Sequence, residues 1–151
     1  MEAVLALQTV ASLRQISWFS DLTAMLAIEK ASFAHPWGLL DFLRFGFTPG
    51  NSGRVRVLDG KVVGYILYIK QADRLHVAHV AVKPECRSLG LGREMILSLA
   101  DRARCYVTLH VRKSNLDAQR LYHRLGFEVV RELPHHYADC EDAFLMGYSG
   151  R

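Results

Sequence analysis

Hydrophobic and polar positions along the chain repeat first with the spacing of helices and then with that of strands, which predicts a mixed fold. Residues 20–33 place apolar side chains on one helical face, and Ser20 is expected to cap this helix. The tripeptide "HPW" at 35–37 ends the pattern, and a second short helix is predicted over about 39–45. The chain is therefore predicted to begin its ordered part with two helices.

The next segments of the chain have the residue patterns of β-strands. Residues 54–70 hold two runs rich in β-branched residues around Asp59-Gly60, a dipeptide that favours a tight hairpin because glycine accepts a positive φ. Residues 74–84 are almost all β-forming, as expected of a strand covered on both faces. Another strand is predicted over 106–111.

Two further helices are predicted between and after these strands. Residues 93–104 carry an apolar stripe at helical spacing. A fourth helix is expected between Ser114, as its cap, and Gly126, as its end, and two strands over 127–133 and 142–148 close the chain. This order predicts one domain over residues 1–151 with an α/β (α+β) fold, in which helices cover a mixed sheet.

Composition narrows the functional classes. Half of the residues are hydrophobic, and no apolar run approaches the roughly 20 residues that cross a bilayer. A signal peptide is not expected, because the start carries Glu2 and no basic leader. Cys86, Cys105 and Cys140 cannot all pair, which favours reduced thiols and a cytoplasmic location. The net charge of +4 suits an anionic small ligand or an ordinary basic surface, and predicts neither nucleic-acid nor membrane binding.

The segment "CRSLGLGREM" at 86–95 places two glycines between a strand and a helix. Amides in the first turn of a helix lack partners, and glycine lets an anion approach them closely, so the pattern predicts a pyrophosphate site. The alternative is a turn whose glycines serve local geometry alone. The segment lacks the third glycine of a dinucleotide fingerprint and the G-K-[ST] of a P-loop.

The order of motifs resembles a known superfamily. R-x-x-G-x-G is followed by a helix, a strand and the pattern "N-x-x-A-x-x-L-Y-x-x-x-G-F", formed by Asn115, Ala118, Leu121, Tyr122, Gly126 and Phe127. This resembles the GNAT superfamily of acetyl-CoA-dependent N-acetyltransferases. The segments "LHVRKSN", "YADCEDAFLM" and "IEKASFAHPW" look like the protein N-terminal acetyltransferases, including the bacterial RimI type. The resemblance is tight from about 76 to 148, looser from about 18 to 75, and absent before that, so residues 1–11 form an extension of unknown role.

The resemblance implies a GNAT fold with a mostly antiparallel sheet and helices on both faces. It also implies residues that bind acetyl-CoA through the glycine turn, the preceding strand end and the next helix start: Arg87, Ser88, Leu89, Gly90, Leu91, Gly92, Arg93, Val80, Ala81, Val82 and Asn115. The strand-end residues can also be core, since their backbone would bind while their side chains pack. Asn115 can equally be a polar residue at a helix start.

Two side chains are expected to move protons. Tyr122 lies where the superfamily has its general acid for the departing thiolate, although an aromatic residue at helical spacing is usually core. His110 lies where RimI-type enzymes carry a glutamate proposed as base; alternatively, it is a hydrogen-bonded core residue. An ordinary histidine pKa of about 6.5 lies only about 1.5 units below that of an α-amine, which favours an N-terminal amine over a lysine.

The resemblance assigns the acceptor groove to Trp37, His136 and Tyr137, although the subgroup often has tyrosine where this chain has His136. Trp37 can also be a core residue. His76 and His79 are interpreted as structural, and the adjacent histidines of "HHYADC" do not predict a metal site.

The predicted function is direct transfer of acetyl from acetyl-CoA to the N-terminal α-amine of a protein or peptide, in the manner of a RimI-type enzyme acting on a ribosomal protein. The coenzyme is expected between the strand that ends near Val82 and the one that starts near Tyr106. The alternatives are a GNAT enzyme that acetylates lysine side chains or a small amine, and a non-catalytic acyl-CoA-binding module.

Overall fold

A computed structural model describes residues 11–103 and 106–149 of the chain, with only the backbone of residues 102 and 103. The elements in chain order are β1 (Ala11–Gln15), α1 (Leu22–Ser32), α2 (Leu39–Phe47), β2 (Asn51–Leu58), β3 (Lys61–Lys70), β4 (Arg74–Val82), a 3₁₀ turn (Pro84–Leu89), α3 (Leu91–Ala103), β5 (Tyr106–Arg112), α4 (Leu116–Leu125), β6 (Glu128–Leu133) and β7 (Ala143–Tyr148).

The strands join one seven-stranded sheet in the order β1-β2-β3-β4-β5-β7-β6. Neighbouring strands are antiparallel except β4 and β5, which run parallel and are connected through α3. This arrangement confirms the predicted mixed, mostly antiparallel sheet. The β2–β3 hairpin also forms as predicted, because Asp59 and Gly60 both adopt positive φ, at 48° and 78°.

Helices cover both faces of the sheet, as predicted. On the α1/α2 face, Met25 and Phe42 pack against Tyr65 of β3. On the α3/α4 face, helical residues that include Met95 pack against Ile66, the next residue along β3. Successive side chains of a strand point to opposite faces, so the two clusters form two cores, one on each side of the sheet.

Several boundaries differ from the sequence-based expectations. Asp21, not Ser20, lies at the start of α1, where its carboxylate accepts hydrogen bonds from Arg14 and the amide of Ser17. Asn115, not Ser114, caps α4 by accepting a hydrogen bond from the amide of Ala118. In both places two good capping residues are adjacent; the Asp21 side chain is bonded outside α1, and Ser114 donates to Glu141 and leaves the α4 cap to Asn115.

Two elements were not expected. β1 begins at Ala11, within the segment assigned to the extension, and residues 1–10 lie outside the described residues. A 3₁₀ turn precedes α3, which therefore begins at Leu91 and not near Arg93. Across residues 11–103 and 106–149, no helix combines the length and apolar character needed to cross a membrane.

Candidate active site

The pairing between β4 and β5 stops halfway along the two strands. Their last paired residues are Val77 and Leu109. Beyond this point β4 still pairs with β3 as far as Val82, and β5 still pairs with β7 as far as Arg112. Each strand therefore presents an unpaired backbone edge to the space between them, which is where the sequence predicted the coenzyme.

A cleft of about 670 Å³ opens at this split. Its walls contain seven of the residues predicted for the site: Val80, His110, Asn115, Tyr122, Trp37, His136 and Tyr137. His76 and His79, which were interpreted as structural, also line it. Ala81, Val82 and the glycine turn do not line this cleft. The predicted proton-transfer and acceptor residues thus lie together, with the predicted pyrophosphate turn beyond them.

The glycine turn contains backbone amides that have no hydrogen-bond acceptor among the described residues. The amides of Leu91, Gly92 and Arg93, at the start of α3, have no acceptor among the described residues, and the first helical bond there runs from Glu94 to the carbonyl of Gly90. Gly90 has a φ of 75°, a conformation that suits glycine. The partial positive charge of a helix N-terminus adds to these amides, so the turn fits the pyrophosphate of a coenzyme.

The surroundings of Gly92 also suit a phosphate group. Its φ is not positive, and a Cβ built there would approach nothing closer than the Val82 Cγ2 atom, at 3.7 Å. Neither backbone strain nor internal packing therefore requires glycine at this position. An open surface beside free amides is what a closely approaching phosphate needs.

Arg87, predicted to lie in the coenzyme turn, makes hydrogen bonds within the protein. Its Nε donates to the carbonyl of Val82 at 3.1 Å, and its guanidinium also donates to the Ser32 hydroxyl at 2.9 Å. The side chain therefore connects the 3₁₀ turn to the end of β4 and to α1, and this bond uses the carbonyl of Val82 that was predicted to bind the pantetheine arm. Ser88 and Arg93 are exposed, as is Leu89.

His110 lies in a cluster of imidazoles. Its ring centroid is 4.5 Å from that of His76 and 4.3 Å from that of His136. Burial, together with the neighbouring His76, His136 and Arg131, lowers the pKa of His110 to about 4. The expectation of an ordinary pKa near 6.5 was therefore wrong, and His110 is neutral at pH 7.

Tyr122 belongs both to the core and to the cleft. Its ring packs 5.9 Å from that of Phe127, within the α3/α4 core. Its hydroxyl has no hydrogen-bond partner among the described residues, and the residue lines the cleft. Burial, with a smaller effect of Tyr137, raises the pKa of Tyr122 to about 12, so the hydroxyl keeps its proton throughout the neutral range.

The β6–β7 loop, residues 134–142, is held to β5 by Arg112. Its guanidinium donates to Asp139 at 2.8 Å and to Glu141 at 2.9 Å, and it stacks over the Tyr137 ring at 4.0 Å. His135 and Cys140 adopt positive φ, at 52° and 66°, which are uncommon for residues other than glycine. Arg112 therefore helps to fix the loop that brings His136 and Tyr137 to the cleft.

A buried carboxylate lies behind the cleft, and sequence reasoning missed it. Glu29 is fully buried, and its carboxylate accepts hydrogen bonds from the Trp37 amide at 2.8 Å and from the Tyr65 hydroxyl. His79 Nε2 bonds to the same group at 2.7 Å. A signal was present, because Glu29 falls four residues after Met25, on the predicted apolar face of the first helix.

A β-bulge turns His79 toward Glu29. Along β4, Val77 pairs with Tyr68 and His79 pairs with Leu67, so Ala78 is an extra residue without a partner. Ala78 lies on the α1/α2 face, as alternation from Val77 requires, and the bulge puts His79 on that face too, beside Glu29, and leaves Val80 on the α3/α4 face. Strict alternation would have put His76 and His79 on opposite faces, whereas both line the cleft.

No group of three or more histidine, cysteine or acidic side chains is placed to hold a metal ion in the part of the chain that the structure describes. Cys105 lies outside that part. Cys140 is exposed and Cys86 is partly buried, and neither lines the cleft.

Comparisons with known proteins agree with this geometry. The sequence model of the acetyltransferase (GNAT) family matches residues 22–127. An uncharacterised N-acetyltransferase of Methanocaldococcus jannaschii is 40% identical over 131 residues, covering 83% of this chain and 84% of that protein. An N-alpha-acetyltransferase of Saccharolobus solfataricus is 37% identical, covering 83% of this chain and 86% of its own.

Among solved structures, the ribosomal-protein-S18-alanine N-acetyltransferase of Escherichia coli superimposes with a TM-score of 0.82 at 26% identity, covering 91% of this chain and 92% of that one. These relatives confirm the predicted superfamily, fold and coenzyme, and the split sheet and the free amides after the glycine turn agree with them. The chain belongs to the acetyltransferase (GNAT) family and is an acetyl-CoA-dependent N-acetyltransferase.

Proposed function

We propose that this chain acetylates the N-terminal α-amine of a protein or peptide. The observation that carries the proposal is the cleft itself: the neutral imidazole of His110 lies beside an aromatic groove wall that contains His136 and Tyr137. Two similar proteins support it by their names, one an N-alpha-acetyltransferase and the other an alanine N-acetyltransferase of a ribosomal protein. We also propose that the acceptor is a cytoplasmic protein, such as a ribosomal protein.

Acetyl-CoA supplies an activated acetyl group as a thioester. The residues proposed to hold it are the amides of Leu91 to Arg93 at the pyrophosphate and the unpaired edge of β4 at the pantetheine arm. Asn115 lines the cleft while its Oδ1 caps α4. Main-chain groups thus account for most of the proposed coenzyme contacts.

His110 and Tyr122 are proposed to handle protons on the two sides of the reacting carbon. His110 is neutral, so its ring can accept the proton that the attacking nitrogen loses as it bonds to carbon. Tyr122 has a protonated hydroxyl without a partner among the described residues, which can donate to the departing sulfur.

The experiment that tests the function compares two peptides with acetyl-CoA and reads the products by mass spectrometry. One peptide has a free N-terminus and internal lysines; the other has the same sequence with its α-amine blocked. Transfer to the first alone supports the proposal. Equal transfer to both would identify a lysine acetyltransferase, and acetylation of small amines alone would also overturn the proposal. A library with varied first residues then defines the preferred acceptor.

Replacing Gly92 with alanine is expected to weaken acetyl-CoA binding at least tenfold without loss of stability. The added methyl group fits the protein but occupies the surface that the phosphate approaches. The free energy of unfolding is expected to stay the same or rise by up to about 1 kcal/mol, because alanine favours a helix over glycine. Isothermal titration calorimetry and thermal unfolding measure the two quantities.

Gly90→Ala is the matched comparison for stability. It places alanine at a positive φ, so its free energy of unfolding is expected to fall by about 1 kcal/mol. Unchanged coenzyme affinity in Gly92→Ala would remove the glycine turn from the proposed coenzyme site.

Arg112→Ala is expected to raise the KM for the peptide about tenfold, with a smaller change in the KM for acetyl-CoA. The change removes the ion pairs with Asp139 and Glu141 and the stacking on Tyr137, so the loop loses its defined position. Arg112→Lys is expected to restore only part of the affinity, because lysine lacks the planar fork. Steady-state kinetics with each substrate varied in turn measures both constants, and an unchanged peptide KM would contradict the positioning role.

A further inference from the structure

Acetylation of a protein N-terminus requires the acceptor nitrogen to lose two protons. An α-amine has a pKa of about 7.7–8.0, so at pH 7 most of it is an ammonium that must lose one proton before it can attack. The second proton leaves as the amide forms. His110 suits the second step, but its neighbours His76, His136 and Arg131 all disfavour a positive charge on its ring. The first proton is accepted more readily by a group whose positive charge a nearby negative charge balances.

Glu29 is the negative charge available behind the cleft. It lies near the end of α1, is fully buried, and receives hydrogen bonds from His79, from the amide of Trp37 and from Tyr65. Burial works to raise the pKa of Glu29, but these hydrogen bonds outweigh burial and leave the pKa below its ordinary value. The carboxylate is therefore ionised, and His79 is the cleft-lining side chain that bonds to it.

The bond to Glu29 fixes the state of the His79 ring. An ionised carboxylate only accepts hydrogen bonds, so His79 Nε2 carries the proton in the bonds of 2.9 and 2.7 Å to its two oxygens. In the neutral ring Nδ1 is then an acceptor, and it has no partner among the described residues although the residue lines the cleft.

Stacking fixes the orientation of the same ring. His79 lies parallel to Trp37, with a centroid distance of 4.7 Å and an interplanar angle of 9°, and 4.7 Å from the ring of Phe33. Its surroundings are Glu29 on α1, Tyr65 on β3, these two aromatic side chains and, elsewhere in the cleft wall, His76 and His110. Among these groups, Glu29 is the one that hydrogen-bonds to the His79 ring.

We propose that Glu29 and His79 form a second proton-accepting pair, in which His79 Nδ1 takes the first proton from the acceptor's α-ammonium and Glu29 is the positioning residue. This rests on the proposed α-amine acceptor. The step converts R–NH₃⁺ and neutral His79 into R–NH₂ and an imidazolium whose charge Glu29 balances. His110 takes the second proton, and one proton reaches solvent in each turnover once the leaving thiolate has been protonated.

The test measures kcat/KM for a free N-terminal peptide from pH 6 to 9 in the wild-type protein, Glu29→Gln and His79→Gln. Both variants are expected to be about tenfold slower than wild type at pH 6.5. The defect should shrink below about threefold at pH 9, because the amine then loses its proton to solvent unaided. Acetyl-CoA affinity should be unchanged, and Glu29→Asp should recover part of the activity at pH 6.5.

Tyr65→Phe is the matched control, because it also removes a hydrogen bond to Glu29 but leaves the contact with His79 intact. It is expected to keep the wild-type pH profile. A defect in the Gln variants that is constant across pH, or a Tyr65→Phe profile that matches theirs, would overturn the proposal and make Glu29 structural.

If the variants do not fold, the proposal can be tested by NMR on the wild-type protein. The ¹⁵N chemical shifts of the His79 ring are expected to show a proton on Nε2 and none on Nδ1 at pH 7–8; a protonated Nδ1 would overturn the proposal. Failure of the proposed function appears differently, as a wild-type protein that does not modify the α-amine at any pH.

Discussion

His110→Ala is expected to lower kcat about a hundredfold at pH 7 while changing acetyl-CoA affinity less than twofold. Proton transfer by a positioned side chain is worth about 10²–10⁴-fold, and the variant removes the imidazole that lies between His76 and His136. The coenzyme amides at the start of α3 are untouched. Saturation kinetics and calorimetry with acetyl-CoA separate the two effects.

His123→Ala provides the matched control, because His123 is an exposed histidine near the end of α4 and does not line the cleft. It is expected to retain full activity. Activity of His110→Ala that equals wild type across pH 6 to 9 would end the assignment of His110 as a base.

The pKa of His110 also predicts how stability depends on pH. In the folded protein it is about 4, and in the unfolded chain it is about 6.5. Between these values the unfolded chain binds the extra proton, so the free energy of unfolding falls as the pH drops from 6.5 to 4. His110→Ala should flatten this part of the profile in urea unfolding experiments, and above pH 6.5 the group makes no such contribution.

Tyr122→Phe is also expected to have a large effect: kcat should fall about a hundredfold, with little change in the free energy of unfolding. The ring keeps its packing on Phe127, and the hydroxyl that is lost has no partner among the described residues. Full transfer of a proton from a tyrosine of pKa about 12 to a thiolate of pKa about 8.5 is uphill by nearly 5 kcal/mol. Tyr122 therefore contributes mainly by donating a hydrogen bond to the sulfur as negative charge develops there.

Tyr148→Phe is the control, because its ring packs on the same Phe127 at 5.4 Å but does not line the cleft. It should keep wild-type kcat. More than half of the wild-type kcat in Tyr122→Phe would contradict the role of general acid. Since the pKa of Tyr122 is about 12, no loss of activity from its ionisation is expected below about pH 10.

The sequence predicted the elements that carry strong local signals. Asp59-Gly60 marked the hairpin, and the 3.6-residue stripes marked the four helices, because these features depend on neighbours in the chain. β1 could not be predicted in this way. Its five residues are mostly exposed and show no clean alternation, and its pairing with β2 holds it in the sheet.

In the site, motif positions predicted which residues line the cleft. The pKa values and hydrogen bonds of these residues depend on tertiary contacts, which the sequence does not show. The lowered pKa of His110 arises from burial and from His76, His136 and Arg131, which belong to three other segments of the chain. The contact between His79 and Glu29 depends on the bulge at Ala78, which reverses the alternation that a strand pattern assumes.

The unpaired edges of β4 and β5 have a consequence for the behaviour of the protein in a crowded solution. A strand edge with free amides and carbonyls on the outside of a protein is a template for pairing with another chain. Here the interruption lies between inner strands of the sheet, with β3 on one side and β7 on the other. A narrow molecule with amide groups of its own can reach it, whereas a second polypeptide sheet is excluded by the flanking strands, so the backbone at this split is open to the ligand and closed to another sheet.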